Sequence, residues 1–261
     1  MDKIYPNHVY DETRIKIAAE LLHKEFIKLT PSLNEKEWQG IGQDIRDWFE
    51  GKRSDLAPVH DFWNGFHGIM SGFKLKAPVR FITAENVEWS QQEVSVKDIP
   101  LSWSIPSIAK LGKGASYQQV YDYIHSSEAE YKKQKDLADM MAARFKISRR
   151  EFPILLVKSP TGHILLDGNR RTLEAIIYDR PTIAAWVGDM GGDSEPKNYW
   201  VSTAFLRDLM REAEAADATG DQATVEAVSK FLKYLCGRSE VARINWDLRC
   251  RDQSELAKKL L

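Results

Sequence analysis

Between residues 11 and 29 the apolar side chains Ile15, Ala18, Ala19, Leu22, Phe26 and Leu29 recur at intervals of three and four, the spacing that gives an α-helix one buried face. The same period returns after Thr30-Pro31-Ser32, where Trp38, Ile41, Ile45, Trp48 and Phe49 predict a second helix that Gly51 ends. Phe62, Trp63, Phe66 and Phe73 predict a third, shorter helix interrupted by Gly65, Gly68 and Gly72. Near Glu93 the period switches to two, and EVSVKDIPL alternates as a half-buried strand does. One long helix is predicted from residue 116 to about 145, on Val120, Tyr123, Ile124, Tyr131, Leu137, Met140, Met141 and Phe145. Two short apolar runs, 153–157 and 163–166, flank Ser159-Pro160-Thr161-Gly162 and predict a hairpin. A short helix carrying Thr172, Leu173, Ala175, Ile176 and Ile177 ends before Pro181, and TIAAWV, 182–187, predicts a returning strand. Beyond a Gly/Asp-rich linker at 188–196, helical spacing covers 199–216, 222–235 and 254–261.

This order divides the chain into a helical N-terminal segment (1–90), a mixed strand-and-helix domain (91–190) and a helical C-terminal segment (191–261). The fold class it predicts is α+β, with a small central mixed sheet flanked by helices. Composition agrees: 261 residues that are 43% hydrophobic and 29% charged can bury an ordinary core, which excludes a stapled mini-scaffold and a wholly disordered chain. Lys plus Arg number 37 against 38 Asp plus Glu, a net charge of −1, so any affinity for nucleic acid or an anionic surface must be local. Cys236 and Cys250 suit neither a disulfide framework nor a Cys-x-x-Cys zinc site and read as reduced thiols. The opening MDKIYPNHVYDETRIK has no apolar signal core, and no apolar run approaches the roughly 18 residues of a membrane span. The expectation is a cytoplasmic protein with no membrane contact.

The stretch Asp167-Gly168-Asn169-Arg170-Arg171-Thr172 carries the chemistry. It joins a strand to a helix, and a helix N-terminus presents unpaired N–H groups and a positive partial charge to an anion. Gly168 would allow close approach, Arg170 and Arg171 would fork onto phosphate oxygens, and Thr172 would add a hydroxyl. Cations at a helix start oppose the dipole, a local conflict that an arriving anion would resolve. From Arg144 to Arg171 seven basic residues (Arg144, Lys146, Arg149, Arg150, Lys158, Arg170, Arg171) face two acids (Glu151, Asp167), a local excess of 7 − 2 = +5. Asp167 reads either as a base or metal organiser or as a turn residue; Glu93, Asp98 and Glu174 are further acids that such a site could use.

The run ILLVKSPTGHILLDGNRRTLEAIIYDRPTIAAWVGD, with EVSVKDIPL and LADMMAARFKISRREFPI upstream, resembles the core of the ParB/sulfiredoxin-like superfamily over residues 93–189. The resemblance implies that the loop and helix start hold nucleotide phosphates, with Gly168, Arg170 and Arg171 at the superfamily's phosphate-loop positions. Asn169 departs from two branches, since sulfiredoxins place a catalytic cysteine near here and ParB proteins a glutamate; without that cysteine a sulfinic-acid reductase is not expected. DGNRR looks closer to the Asp-Gly-x-x-Arg loops of the kinase-like and uncharacterised branches. The resemblance thus implies a nucleoside-triphosphate hydrolase or phosphotransferase using ATP or CTP with Mg²⁺. Phosphates would lie at Gly168, Asn169, Arg170, Arg171 and Thr172, with His163 one strand earlier, and Asp167 and Glu174 would be the catalytic acids. The alternative is a ParB-like DNA-binding protein or nuclease using the same basic strip. The flanking helices would serve as a lid, as packing for the sheet, or as a homodimer interface.

Weaker signals are Lys113 in LGKGAS, which lacks the full phosphate-loop spacing and reads as a linker capped by Ser116, and His60 with His67, which share a helical face without a third metal ligand.

Overall fold

A computed structural model of the chain describes residues 4–29, 58–72, 76–101, 115–144, 152–160 and 162–261, together with positions 36, 37, 40, 43, 44, 47 and 111. The helix expected around Trp38 and Trp48, and Lys113, lie outside the described residues. The fold is mixed α+β, and the chain divides into two compact units, each assembled from separate stretches of sequence.

The sheet unit comprises Lys16–Arg46 and Val87–Ser194. Its four strands are β1 (Glu88–Ser95), β2 (Ile154–Ser159), β3 (Gly162–Asp167) and β4 (Thr182–Asp189), in the order β1-β4-β2-β3. β1 and β4 are antiparallel, β4 and β2 parallel, and β2 and β3 form the expected hairpin. Helix α6 (Asn169–Ile177) connects β3 back to β4. Ile154, Leu156, Ala185 and Val187 pack on one sheet face, while Leu173, Ala175, Ile176 and Ile177 of α6 bury against Val120 and Ile124 of α4 (Tyr117–Ile124).

Two expectations are corrected here. The first strand lies earlier than EVSVKDIPL, because its pairing with β4 runs from Glu88↔Asp189 to Ser95↔Thr182; Val96–Asp98 then turns as a 3₁₀ segment, with the Val96 N–H donating to the Pro181 carbonyl. The long helix is two, α4 and α5 (Glu128–Arg144). The Ser127 hydroxyl accepts the Glu130 N–H and starts α5 afresh. Ser116 caps α4 in a reciprocal capping box with Gln119.

The helical unit comprises Met1–Ile15, Asp47–Asn86 and Glu195–Leu261. It contains α2 (Pro58–Gly72), α3 (Lys76–Ile82), α7 (Thr203–Thr219), α8 (Gln222–Arg238), α9 (Glu240–Arg249) and α10 (Glu255–Leu260). The termini of the chain therefore share one core instead of forming two separate flanks. Helix α1 (Glu12–Leu29) begins in this unit, and from Lys16 onward it belongs to the sheet unit. Tyr5 donates to the Asn245 side chain at 2.8 Å, Asn245 donates to the Val201 carbonyl at 2.8 Å, and the buried Trp63 indole donates to the Val9 carbonyl at 2.9 Å. α2 runs unbroken through Gly65 and Gly68, since the buried Phe62, Trp63 and Phe66 supply the packing that propensity withholds. His60 is buried between Asp61 and Thr203, 3.0 Å from each, and burial holds its imidazole below the usual histidine range. It joins a packing network, whereas His67 stands 3.4 Å from the Ser71 hydroxyl; no group of three metal-ligating side chains occurs among the described residues. Both cysteines are free and buried, and burial pushes the Cys236 thiol up to about 11. Among the described residues no helix is long and apolar enough to cross a membrane.

Candidate functional site

The strand-to-helix junction at Gly168 forms as expected, and its geometry has two sides. A bulge in the β2–β3 ladder creates the first: Leu156 stands opposite Leu165, but Leu155 stands opposite Asp167, so Leu166 is an extra residue. Opposed residues share a sheet face, so the bulge turns Asp167 onto the face of Leu155 and of its β4 neighbour Trp186. A narrow cleft on that face is lined by Ile17, Glu20, Leu21 and Lys24 of α1 and by Phe152, Pro153, Leu155 and Trp186.

Asp167 Oδ2 accepts from the buried Lys24 ammonium and, at 2.6 Å, from Arg171 Nη2. Arg171 is 6% exposed, and its Nη1 donates to the carbonyls of Phe152 and, at 2.7 Å, Pro153. Glu25 completes the cluster 3.6 Å from Lys24. The expectation that Arg171 reaches an anion is corrected: its donors go to Asp167 and to the two carbonyls just before β2, while Lys24 ties Asp167 to α1. Two cations on one oxygen also occupy Asp167 as a structural acceptor, which removes it from the role of base. Lys24 and Glu25 carried no sequence signal, because charged residues on an amphipathic helix read as its wet face. Ile17 and Leu21 did widen the apolar arc of α1 toward Lys24, seven residues beyond Ile17.

Beside this cluster Glu20 accepts from the Trp186 indole at 2.7 Å, and the Lys16 ammonium lies 5.2 Å from the Trp186 ring centre. Burial raises the Glu20 carboxyl above the ordinary glutamate range, against the pull of that hydrogen bond and of Lys16 and Arg171. A carboxyl raised on folding supports the fold while protonated and loses that contribution as pH rises through its folded value. Glu20→Gln is therefore expected to raise the melting temperature near pH 7, with the difference closing below about pH 4, where both side chains are uncharged; thermal melts across pH check it.

The second side of the junction is the start of α6. Gly168 has φ +114°, and a Cβ there would lie 2.3 Å from Ile154 Cγ2 and 2.6 Å from Ile154 Cβ. The glycine is thus demanded by the chain's own β2 strand, which corrects the reading that it makes room for a ligand. Thr172 is also turned inward: it is fully buried and its hydroxyl donates to the Gly168 carbonyl at 3.2 Å. Glu174 is buried along α6. His163 lies four residues before Asp167, about 13 Å along the strand, with Nδ1 3.3 Å from the Asp98 carbonyl, and so does not join the loop. Glu93 and Asp98 are exposed. Of the basic strip, Lys158 pairs with Asp189 at 3.3 Å, while the Arg144 side chain and Lys146, Arg149 and Arg150 lie outside the described residues.

At the start of α6 Asn169 is half-buried and Arg170 exposed. Helices α4, α7, α8, α9 and α10 are each capped by a side-chain oxygen, from Ser116, Ser202, Asp221, Ser239 and Ser254. α6 follows a glycine that offers no such oxygen, and its first turn contains no acid. α6 thus begins with neither a side-chain cap nor a first-turn carboxylate, and with an arginine in its first turn. No protein-family model, curated protein or solved structure matches the chain.

Proposed function

We propose that the sheet unit is a ParB/sulfiredoxin-like domain that binds a nucleoside triphosphate, ATP or CTP, with its phosphates at the N-terminus of α6. The single observation that carries this reading is the uncapped, acid-free start of α6 behind a left-handed glycine, with Arg170 exposed in its first turn. Backbone N–H groups would take phosphate oxygens and Arg170 would neutralise charge on them, while Lys24, Asp167 and Arg171 hold the loop in place from behind. A Mg²⁺ ion would be carried chiefly by the nucleotide's own phosphates, because Asp167 is already spanned by Lys24 and Arg171. Phosphoryl transfer also needs a proton acceptor, and with Asp167 engaged the reading supported best is nucleotide binding, with hydrolysis or transfer as its extension.

Thermal-shift and calorimetric titrations with ATP and CTP, with and without Mg²⁺, test it. One nucleotide is expected to raise the melting temperature, and Arg170→Ala is expected to weaken that nucleotide about tenfold or more, the value of a charge-assisted hydrogen bond. Because Arg170 is exposed, the variant should melt like the wild type without ligand. Absence of any shift at millimolar nucleotide would end this reading, and steeply salt-dependent duplex binding lost in Arg170→Ala would replace it with a ParB-like DNA-binding protein or nuclease.

A further inference from the structure

The helical unit holds two arginines that the nucleotide reading does not use. His60, on α2, lies 3.0 Å from the Thr203 hydroxyl, and its ring stacks at 6.3 Å on Tyr5, whose hydroxyl donates to Asn245 at 2.8 Å. Arg207 follows Thr203 by one turn of α7, and Arg249 follows Asn245 by one turn of α9, so each neighbours a member of this cluster, and α7 packs on α9. Both charges reach His60 and disfavour its protonation, and Arg207 also acts on Cys250, the residue after Arg249. Among the described residues neither guanidinium makes an ion pair or a hydrogen bond, and Arg249 Nε is buried without an acceptor.

The acids around them are engaged elsewhere. Asp208, next to Arg207, pairs with Arg211, and Asp247, two positions before Arg249, pairs with Arg251, each at 3.5 Å. Asp252, three positions beyond Arg249, acts on Lys258. Asp61 remains, with its Oδ1 3.0 Å from His60 Nδ1, and against the two arginines it leaves one positive charge over. An ordinary explanation covers part of this, since an arginine in a last helical turn complements the dipole and an exposed one needs only water. It does not cover a donor on a permanent cation that is closed off from water with no acceptor, which folded proteins seldom leave. Turning the Arg249 side chain onto an oxyanion beside Arg207 would supply that acceptor. A planar carboxylate is satisfied by the fork of a single arginine, whereas two guanidiniums on separate helices suit the oxygens of a tetrahedral ion, which point several ways.

We infer that Arg207 and Arg249, beside His60, form a second anion site, for a phosphate-type oxyanion, whether free phosphate or a small phosphomonoester. His60 is the readout, because the start of α6 would also take phosphate and a melting temperature alone would not tell the two sites apart. An oxyanion between the arginines offsets their charge, so millimolar inorganic phosphate should move the His60 titration upward, followed by NMR of the ring C–H resonances of the full chain. His60→Gln assigns the resonance. Arg207→Gln, at an exposed position, should keep the wild-type melting temperature and weaken the phosphate response about tenfold, the value of a charge-assisted hydrogen bond. Arg249→Lys keeps the charge without the fork and should weaken it too, which guards against a charge-removing variant that fails to fold. Arg170→Ala should leave the His60 response intact, so failure of the α6 reading would not remove this one. Phenyl phosphate acting at His60 as inorganic phosphate does would extend the site to phosphomonoesters. An equal response to sodium chloride at matched ionic strength would overturn the inference, since it would mean screening alone. So would an equal response to acetate, or a phosphate response unchanged in Arg207→Gln and Arg249→Lys.

Discussion

Asp167→Ala is expected to cost the sheet unit about 3 kcal/mol, the lower end of the range for removing one partner of a buried ion pair. The carboxylate is shared by Lys24, from α1, and Arg171, from α6, with their side chains 9 and 6% exposed. Without it two cations remain in a largely buried site. The loss is moderated because Arg171 keeps the Phe152 and Pro153 carbonyls and Lys24 keeps Glu25. Asp167→Asn retains an acceptor without the charge and should fall between wild type and alanine. Combining Lys24→Met with Asp167→Asn should cost less than the sum of the single changes, since the contact between the two side chains can be lost only once. Urea unfolding of the four proteins measures the cycle. Additive losses would mean that Lys24 and Asp167 do not interact energetically. The same set reports on nucleotide binding: if the cluster holds the α6 loop from behind, Lys24→Met should weaken the nucleotide although Lys24 does not touch it.

Gly168→Ala should be at least as severe, at about 3–5 kcal/mol, because two costs add. At φ +114° an L side chain is strained by about 1–3 kcal/mol, and the new methyl would sit 2.3 Å from Ile154 Cγ2, in a core where overpacking adds a similar amount. Gly162→Ala is the internal control. Its φ is +122°, but nothing lies within 4 Å of a Cβ built there, so it carries the backbone cost alone. The gap between the two variants in chemical unfolding, about 2 kcal/mol, measures the contact with Ile154. Equal losses would show that β2 yields and that Gly168 is required only for its dihedral angle. Relief of the contact by a shift of α6 would also move the first-turn N–H groups, so Gly168→Ala should lose nucleotide affinity in whatever fraction remains folded.

Local pattern and tertiary packing divided the information about this protein between them. Periodicity and turn chemistry alone determined the hairpin at Ser159–Gly162, the short helix ending before Pro181, the returning strand and the capped start at Ser116, since each rests on residues within one turn or one strand of each other. The α+β class followed from their order. α9 went unread because Val241, Ala242, Asn245 and Trp246 bury a face that mixes polar and apolar residues, and the break at Ser127 was masked by apolar positions continuing on both sides of it.

Only the tertiary structure decided how these pieces divide and which way the loop's side chains turn. Residues 1–15 and 195–261 join one unit because Tyr5, Asn245 and Val201, some 240 positions apart at the extremes, satisfy one another, a pairing that no local window contains. At the candidate site the sequence marked DGNRRT as a unit, yet one bulged residue and one helix 143 positions earlier turned Asp167 and Arg171 inward and left Arg170 outside. The reason is that a buried charge must find its counter-charge in space. Which of two adjacent arginines serves the fold and which faces water depends on where Lys24, Phe152 and Pro153 lie, and that is determined by packing alone.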